Sequence, residues 1–344
     1  MSYFVGLDIS LDKTSICIVD NNGNICVEGK AETDPNAIAT FLQKNDLPLT
    51  LIGLEAGNLS SWLYIGLAEC NLPVVCLETR HAKAALNAQN VKTDRNDVRG
   101  LAQIVRTGWF KEVHIKSIAS QKLRVLLNSR KLLLNKRLEI DGQIRGTLEV
   151  FGLKVGKVTV SNYEIRIHEL IGGDTELEAY IYPLLAVRQS LLEQCLKLEK
   201  MVLEYVKHDQ VCRRLMTIPG VGVLTALAFK TTIDNPRRFR KSKDVGAALG
   251  LTPRKYASGE IDYNGHITKC GDVMVRSHLY EAANVLLCRS KKQTPLRAWG
   301  MRLARRSSWK NACVAVARKL AVLMHRMWLD GTEYKVEQKA SNAA

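Results

Sequence analysis

Short apolar runs separated by turn-forming residues mark the first hundred residues of the chain, and longer helical patterns follow. Runs at residues 3–8, 14–20 and 25–31 predict three β-strands, the last two joined by a turn at residues 21–24. In chain order, the pattern then predicts a helix after Asp34, a strand at residues 49–54, a helix at Ser60–Glu69, a strand at Val74–Leu77, and helices at residues 81–89 and 94–106.

Three antiparallel strands followed by alternating strands and helices form a ribonuclease-H-like pattern. In that arrangement the first strand and a later parallel strand lie side by side, and their carboxyl ends meet at one edge of the sheet. We therefore expect an α/β domain over residues 1–115.

The rest of the chain is predicted to be mostly helical. Residues 116–208 contain long leucine-rich helices, and a heptad-like seam is formed by Leu184, Leu191, Cys195, Leu198, Val202 and Tyr205. This seam predicts a coiled-coil linker that forms a dimer, although an ordinary helical hairpin would show the same spacing. Residues 209–330 predict a helical domain with one glycine-rich loop region, and residues 331–344 predict a disordered tail. The fold class is therefore α/β plus all-α.

Charge is distributed unevenly between these parts. Residues 1–115 carry 10 Lys/Arg and 13 Asp/Glu, a net charge of −3, whereas the remainder carries 40 and 21, a net charge of +19. Residues 209–330 alone have a net charge of +15. An acidic-leaning domain joined to a strongly basic one indicates a polyanion, and nucleic acid is the first candidate.

Three further features concern the compartment. The nine cysteines are scattered without a C-x-x-C pair, which argues against a disulfide framework and against structural zinc. No run of about 18 apolar residues predicts a membrane span, and the first residues lack the features of a secretion signal. We therefore expect a cytoplasmic, nucleoid-associated protein of a bacterium or archaeon.

Four acidic residues are the main candidates for chemistry in the first domain. Asp8 and Glu55 end predicted strands, while Asp94 and Asp97 lie three residues apart on one helix face, after the candidate N-cap Thr93. Four carboxylates brought together would need a cation, and two Mg²⁺ ions would suit phosphate chemistry. The alternative is four solvated acids at the ends of separate elements.

The basic domain contains a candidate nucleic-acid grip. Gly220 and Gly222 lie in the segment IPGVG between two predicted helices, which resembles a helix-hairpin-helix whose amides would bind phosphate; a plain tight turn is the alternative. Nearby cations could add phosphate contacts or form a solvated face: Arg237, Arg238, Arg240, Lys241, Arg254, Lys255 and Lys269.

A hydroxyl nucleophile is the last candidate. Ser258 lies between Ala257 and Gly259 in the glycine-rich loop, and nearby cations could activate it for attack on DNA. A serine beside glycine is more often a plain turn residue, and Thr268 is a competing hydroxyl.

These motifs together resemble one known family. The chain resembles the DEDD transposases of the IS110 insertion-sequence family in five segments, in this order: VGLDIS, LEAGN, KTDRNDVRGLA, IPGVGVLTA and LGLTPRKYASG. Members of this family are relatives of the Piv invertases and act as bridge-RNA-guided serine recombinases. The resemblance extends over almost the whole chain. One small departure is Ala257, where some relatives carry an acidic residue.

The resemblance implies a RuvC-like first domain in which Asp8, Glu55, Asp94 and Asp97 bind Mg²⁺, and a transposase domain in which Ser258 forms a covalent phosphoserine link to DNA. It also implies a composite active site shared between protomers, a homodimer that assembles to a tetramer, double-stranded donor and target DNA, and a structured guide RNA.

Three other functions compete with this hypothesis. A RuvC-like, Mg²⁺-dependent junction nuclease would use the same acids to activate water and would leave Ser258 structural. An actin-like ATPase or sugar kinase would share the VGLDIS strand, but the later half of the sequence, where such a protein would carry them, shows neither a second phosphate loop nor an adenosine-binding Gly-Gly run. A non-catalytic architectural protein would leave the four acids without a role.

Overall fold

The computed structural model describes residues 1–87 and 93–335, and the chain divides into two compact units, Met1–Lys116 and Ser117–Ala344. Each unit has its own hydrophobic core.

The first unit is a mixed α/β domain around a five-stranded sheet. Its elements are β1 Tyr3–Ile9, β2 Lys13–Val19, β3 Ile25–Glu32, α1 Pro35–Gln43, β4 Leu49–Glu55, α2 Ser60–Glu69, β5 Val74–Leu77, α3 Thr79–Leu86 and α4 Asp94–Thr107. The strand order is β3-β2-β1-β4-β5; β1 pairs antiparallel with β2 and parallel with β4. The predicted parallel neighbour of the first strand is therefore confirmed. The predicted helix at residues 81–89 begins earlier, at Thr79, and its last residues lie outside the described part of the chain.

Alternation along the strands explains how this sheet is covered on both faces. Leu7 and Leu54 point to one face, where they are fully buried against the side of the sheet that α1 and α2 cover. Gly6 and Gly53 point to the opposite face, where α4 packs. Asp34 caps α1 by accepting hydrogen bonds from the backbone amides of Asn36 and Ala37.

The second unit is mostly helical. Its elements are α5 Ile118–Val150, α6 Tyr163–Ile171, α7 Thr175–His208, α8 Gln210–Leu215, α9 Val223–Ile233, α10 Asp244–Ala248, β6 Pro253–Ser258, β7 Ile261–Ile267, α11 Val273–Cys288, α12 Pro295–Arg306 and α13 Trp309–Asp330, with a short 3₁₀ turn at Pro236–Arg238. Its core lies among α8, α9, α11 and α13 and includes Phe229, Leu279 and Leu320.

Helices α5 and α7 form a long antiparallel arm. Arg130 Nη2 lies 3.3 Å from Glu199 Oε1 along its length, and near its tip the almost fully buried Arg188 donates to Asp141 Oδ1 over 2.6 Å. In the predicted seam, Cys195 is buried against α5, where its Sγ lies 4.0 Å from the Arg130 carbonyl oxygen, and Val202 is buried in the core of the second unit. The seam therefore packs at least partly within the chain, as in a helical hairpin.

The glycine-rich segment after α10 is not a loop, as the sequence predicted, but a β-hairpin. Strands β6 and β7 pair in antiparallel register from Pro253↔Ile267 to Ser258↔Ile261. A two-residue turn joins them, and Gly259 at the turn has φ +56°, which favours glycine. Turn-forming residues dominated the sequence pattern here and obscured the short alternation of the two strands.

The prediction of a disordered tail is wrong for its first residues: α13 ends at Asp330 with Gly331 as its left-handed cap, and the Tyr334 amide then donates to Thr217 Oγ1 over 2.9 Å. Residues 336–344 lie outside the described residues. None of the helices in the described ranges is long and apolar enough to cross a membrane.

Candidate active site

The first two acids lie beside each other at one end of the sheet. Parallel pairing of β1 with β4 matches Leu7 with Leu54, so Asp8 and Glu55 occupy the next position on each strand. Both are half-buried. Because side chains alternate, they share the face of Gly6 and Gly53, which is the face covered by α4.

Two glycines allow α4 to lie unusually close to this face. A Cβ atom at Gly6 would come within 2.5 Å of the backbone oxygen of Val98 and the backbone nitrogen of Ala102. A Cβ atom at Gly53 would overlap the side chain of Val105. The glycines therefore fix the height of the helix above the strands, and the first turn of that helix carries Asp94 and Asp97.

Side-chain contacts also hold the start of α4. Glu28 on β3 accepts a hydrogen bond from Arg95 Nη2 over 2.7 Å and is contacted by Arg99 through both Nε and Nη2. Hydrogen bonds from Arg99 and Arg95 lower the pKa of Glu28 to about 2. Thr93 caps the helix by accepting from the Asn96 amide over 3.2 Å.

Electrostatics shows which acids the fold brings together. Burial raises the pKa of Glu55, and the charges of Asp8 and Asp97 raise it further, while a hydrogen bond from Thr79 and the charge of Lys83 oppose the shift. Three of the four predicted acids thus interact at one site. Asp94 lies exposed one turn away on the same helix and is not among the charges acting on Glu55.

Within residues 1–87 and 93–335, no three potential ligand side chains are close enough together to form a ready metal site. The donor set nevertheless fits Mg²⁺ chemically, because carboxylate oxygens are its preferred protein ligands. Burial is the main cause of the raised pKa of Glu55, and the charges of Asp8 and Asp97 add to it; a bound cation would oppose both effects.

The predicted serine lies in the second unit, at the last position of β6 beside the hairpin turn. It is exposed to solvent, and alternation places it on the same face of the strand as Arg254 and Tyr256. Lys255 points to the other face, where its Nζ lies 3.2 Å from Asp262 Oδ2.

The competing hydroxyl is in a different environment. Thr268 Oγ1 is buried and makes no hydrogen bond among the described residues, so a phosphate could not reach it without a rearrangement of the hairpin base. Of the two predicted hydroxyls, only that of Ser258 is accessible.

The two glycines of the predicted hairpin between helices differ in role. Gly220 has φ +91°, and a Cβ atom there would collide with the backbone of α11 at Ala282 and Leu286. Gly220 is therefore required for packing. Gly222 is exposed at the N-cap of α9, has open space around its Cα and leaves the first amides of that helix without a side-chain cap; it is the better candidate for phosphate.

A buried histidine of α13 contacts the segment that carries the basic residues after α9. His325 Nε2 donates to the Pro236 carbonyl over 2.8 Å, and Nδ1 is hydrogen-bonded with the Ser242 hydroxyl over 2.9 Å. Arg238 folds back onto Phe239 and donates to the Ile233 carbonyl. Arg237, Arg240 and Lys241 remain exposed.

Comparisons with known proteins identify the family of the chain. A family model described as "Transposase" (DEDD_Tnp_IS110) matches residues 5–152, and one described as "Transposase IS116/IS110/IS902 family" matches residues 212–298. The first match contains the three interacting acids, and the second contains Gly222 and Ser258. The chain belongs to the IS110 family of insertion-sequence transposases.

Individual relatives align with most of this transposase. The transposase for insertion sequence element IS1111A of Coxiella burnetii is 27% identical over 93% of the chain and 88% of its own length. A putative transposase of Sinorhizobium fredii, y4pF/y4sB, is 28% identical over 86% of the chain and 76% of its own length. The transposase for IS1328 of Yersinia enterocolitica is 28% identical over 71% of the chain and 75% of its own length.

Sequence reasoning missed several residues around the sites of the transposase. Thr79 and Lys83 face Glu55 from α3, and Glu28 reaches α4 from β3. Such contacts join elements far apart in sequence, so no local pattern could reveal them. Tyr256 and Tyr263 were also missed, although their pairing would follow from recognising the hairpin.

Proposed function

We propose that this transposase cuts and rejoins DNA strands through a covalent phosphoserine link at Ser258. Two observations support the proposal: three interacting carboxylates lie at one end of the sheet in the first unit, and Ser258 is exposed on the same strand face as Arg254 in the second. The strand order and the close packing of α4 support a ribonuclease-H-like, RuvC-like role for the first unit.

The chemistry at Ser258 is a transesterification. The Oγ–P bond forms as one P–O bond between the DNA phosphate and its sugar breaks. The hydroxyl proton leaves Ser258, and the released sugar oxygen takes up a proton. The attack of a sugar hydroxyl on the phosphoserine reverses these steps and rejoins DNA, and the phosphodiester bond energy is retained, so no nucleotide is consumed.

The carboxylates of Asp8, Glu55, Asp94 and Asp97 would hold Mg²⁺, which neutralises charge at a phosphate when bound. Two ions suit four acids. Thr79 and Lys83 help to hold Glu55 in its ionised form. Exposed cations of the second unit would hold the DNA backbone: Arg237, Arg240, Lys241, Arg254 and Lys269.

A structured guide RNA and assembly into dimers and tetramers complete the proposal. The net charge of +19 beyond residue 115 supports binding of both RNA and DNA. The arm formed by α5 and α7 leaves Leu132, Val187 and Leu196 about half exposed, and these would pair as a coiled coil with a second copy. Light scattering should then give a dimer or larger species, and Leu196→Glu should shift it toward the monomer. RNA that co-purifies with the chain should be one discrete species when sequenced.

The central test uses Ser258→Ala and Thr268→Val on matched DNA substrates with Mg²⁺. Denaturing electrophoresis should reveal a protein–DNA adduct for the wild type and for Thr268→Val, and none for Ser258→Ala. An adduct that survives in Ser258→Ala would contradict the proposed nucleophile.

One observation favours a second function. All of the acids lie in the first unit, so they could act on water without Ser258. A RuvC-like junction nuclease would still cut DNA as Ser258→Ala and would lose cutting in Asp8→Ala. Divalent-metal titration of Asp8→Ala should also show weakened binding; unchanged binding would contradict a metal role for the acids.

A further inference from the structure

The second unit contains a large groove between the β6–β7 hairpin and helices α12 and α13. Its volume is about 1730 Å³. The hairpin forms one wall with Tyr256 and Tyr263, and Trp299 of α12 lies in another part of the lining. Apolar residues of α13, such as Val322 and Leu323, also line it.

Positive charge dominates the lining. Six cationic side chains face the groove, and the described residues that line it include no Asp or Glu: Lys243, Arg254, Lys269, Arg318, Lys319 and Arg326. None of the six forms an ion pair with a carboxylate of the described chain. Their charges are therefore available to a polyanion that enters the groove.

Aromatic rings accompany these charges. Tyr256 and Tyr263 stack across the hairpin with ring centroids 5.0 Å apart and planes 20° apart. The two residues are 44% and 56% exposed, so the pair is not part of a core. Lys319 Nζ lies 4.1 Å from the ring centroid of Trp299, which places a positive charge directly beside an aromatic face.

This combination selects among polyanions. Rings and cations interleaved in one groove suit unpaired bases joined by phosphates, because each base can stack on a ring while its phosphates meet the cations. Base faces are hidden within a duplex, so duplex DNA would use the cations and leave the rings without partners.

The hairpin links this groove to Ser258. Arg254 and Tyr256 line the groove, and Ser258 follows on the same strand face, about 6.6 Å beyond Tyr256 at the usual rise of a β-strand. Tyr256 is therefore near enough to contact a nucleotide next to a phosphate that lies at Ser258. Lys255, on the opposite face, is paired with Asp262 and does not line the groove.

We propose that this groove binds single-stranded DNA, namely the unpaired nucleotides next to the phosphate that lies at Ser258. The choice of the DNA strand rests on the proposed function of Ser258, whereas binding of a single strand in the groove follows from its lining alone. The stacked tyrosines hold bases, and the cations of α13 hold the phosphates.

Fluorescence anisotropy of the full chain with labelled single-stranded DNA provides the test. Tyr256→Ala and Tyr263→Ala should each weaken binding by about 5-fold or more, the factor expected for the loss of one stacked base. Binding of a duplex of the same sequence should change less than 2-fold. Lys255→Ala is the matched control on the opposite hairpin face and should leave single-strand binding within 2-fold. Tyr256→Phe, which keeps the ring, should restore it.

Cross-linking provides a measurement that does not depend on variants. Oligonucleotides containing 5-iodouracil, irradiated on the wild-type chain, should cross-link to Tyr256, Tyr263 or Trp299, as mapped by mass spectrometry. Cross-links confined to other residues would overturn the proposal. Equal loss of single-strand and duplex binding in Tyr256→Ala would also overturn it, as would efficient competition by polyglutamate. A larger loss for single-stranded RNA than for DNA would overturn the assignment to DNA.

The two proposals fail separately in these experiments. Ser258→Ala should bind single-stranded DNA like the wild type because the serine hydroxyl adds little to affinity. If Ser258→Ala still forms an adduct while Tyr256→Ala loses single-strand binding, the nucleophile is wrong and the groove stands. If the adduct depends on Ser258 and Tyr256→Ala binds normally, the groove is wrong and the nucleophile stands.

Discussion

The pKa of Glu55 is set by neighbours that act in opposite directions. Burial and two neighbouring carboxylates raise its pKa, whereas Thr79 and Lys83 favour the charged form. A carboxylate whose pKa is raised by folding destabilises the folded state when the pH is above the pKa of the same group in the unfolded chain. The reason is that the ionised carboxylate has a lower free energy in the unfolded chain than in the folded one. The site is thus under repulsion at neutral pH without a cation.

The first prediction follows from this repulsion. Glu55→Gln should raise the melting temperature of the metal-free chain by about 1–3 °C at pH 7, because it removes a repelled charge and keeps the shape. It should also reduce the stabilisation that Mg²⁺ gives to the wild type. Differential scanning fluorimetry with and without Mg²⁺ measures both effects.

The exposed Glu69 at the end of α2 provides the control for this experiment. Glu69→Gln should change neither the melting temperature nor the response to Mg²⁺. If Glu55→Gln lowers stability in the absence of metal, the acids are not repelling one another in solution.

The position of α4 depends on the absence of side chains beneath it at Gly6 and Gly53. Gly6→Ala should destabilise the first unit by about 3 kcal/mol, because the new methyl group meets helix backbone that cannot rotate away. It should also weaken divalent-metal binding, since Asp97 moves with the helix. Chemical denaturation and metal titration test the two effects.

Gly57→Ala is the matched control, because a Cβ atom at Gly57 meets nothing within 4 Å. It should leave both stability and metal binding close to those of the wild type. Equal losses for the two variants would mean that close packing of α4 is not the cause.

The ion pairs of Glu28 on β3 with Arg95 and Arg99 on α4, here called the clamp, should make the stability of the chain depend on pH. The pKa of Glu28 falls from 4.5 to about 2 in the folded state, so its contribution is present above pH 4.5 and is lost as pH falls toward 2. Glu28→Gln should lower the free energy of unfolding by roughly 1 kcal/mol at pH 7. Between pH 4.5 and pH 2, the stability of this variant should fall less steeply with decreasing pH than that of the wild type.

Denaturant midpoints measured between pH 7 and pH 3 would show this change of slope. Glu32→Gln on the same strand is the control and should follow the wild type, since Glu32 is exposed and forms no ion pair in the described chain. A slope in Glu28→Gln that equals the wild-type slope would contradict the clamp.

Element boundaries in the first unit could be predicted closely from sequence, because buried strands and capped helices leave strong local patterns. Ser60–Glu69 and Val74–Leu77 match the prediction residue for residue, and Asp8 and Glu55 follow from the ends of their strands. The β6–β7 hairpin could not, because glycines and polar residues on its two exposed strands hide the alternation. Contacts such as Glu28 with Arg95 and Arg99 depend on tertiary packing and leave no local trace.

The two units of the chain have separate cores and opposite charge character. The chain should therefore unfold in two calorimetric transitions. Mg²⁺ should raise the transition of the first unit, and single-stranded DNA should raise that of the second, because a ligand stabilises only the unit that binds it.

Differential scanning calorimetry of the full chain tests this separation. Asp8→Ala should abolish the Mg²⁺ shift and leave the DNA shift, and Tyr256→Ala should do the reverse. A single transition moved equally by both ligands would show that the units are coupled throughout unfolding.

The close packing of α4 on Gly6 and Gly53 also limits how the sequence of the family can change. The backbone of Val98 and Ala102 is fixed over Gly6, so a single residue inserted between Asp97 and Val98 would turn the aspartate by about 100° around the helix axis. Substitutions can accumulate on the solvent side of this helix without moving the acid. Insertions and deletions between Asp97 and Ala102 would move the acid. Related transposases that diverge widely in sequence should therefore still keep the length of this segment.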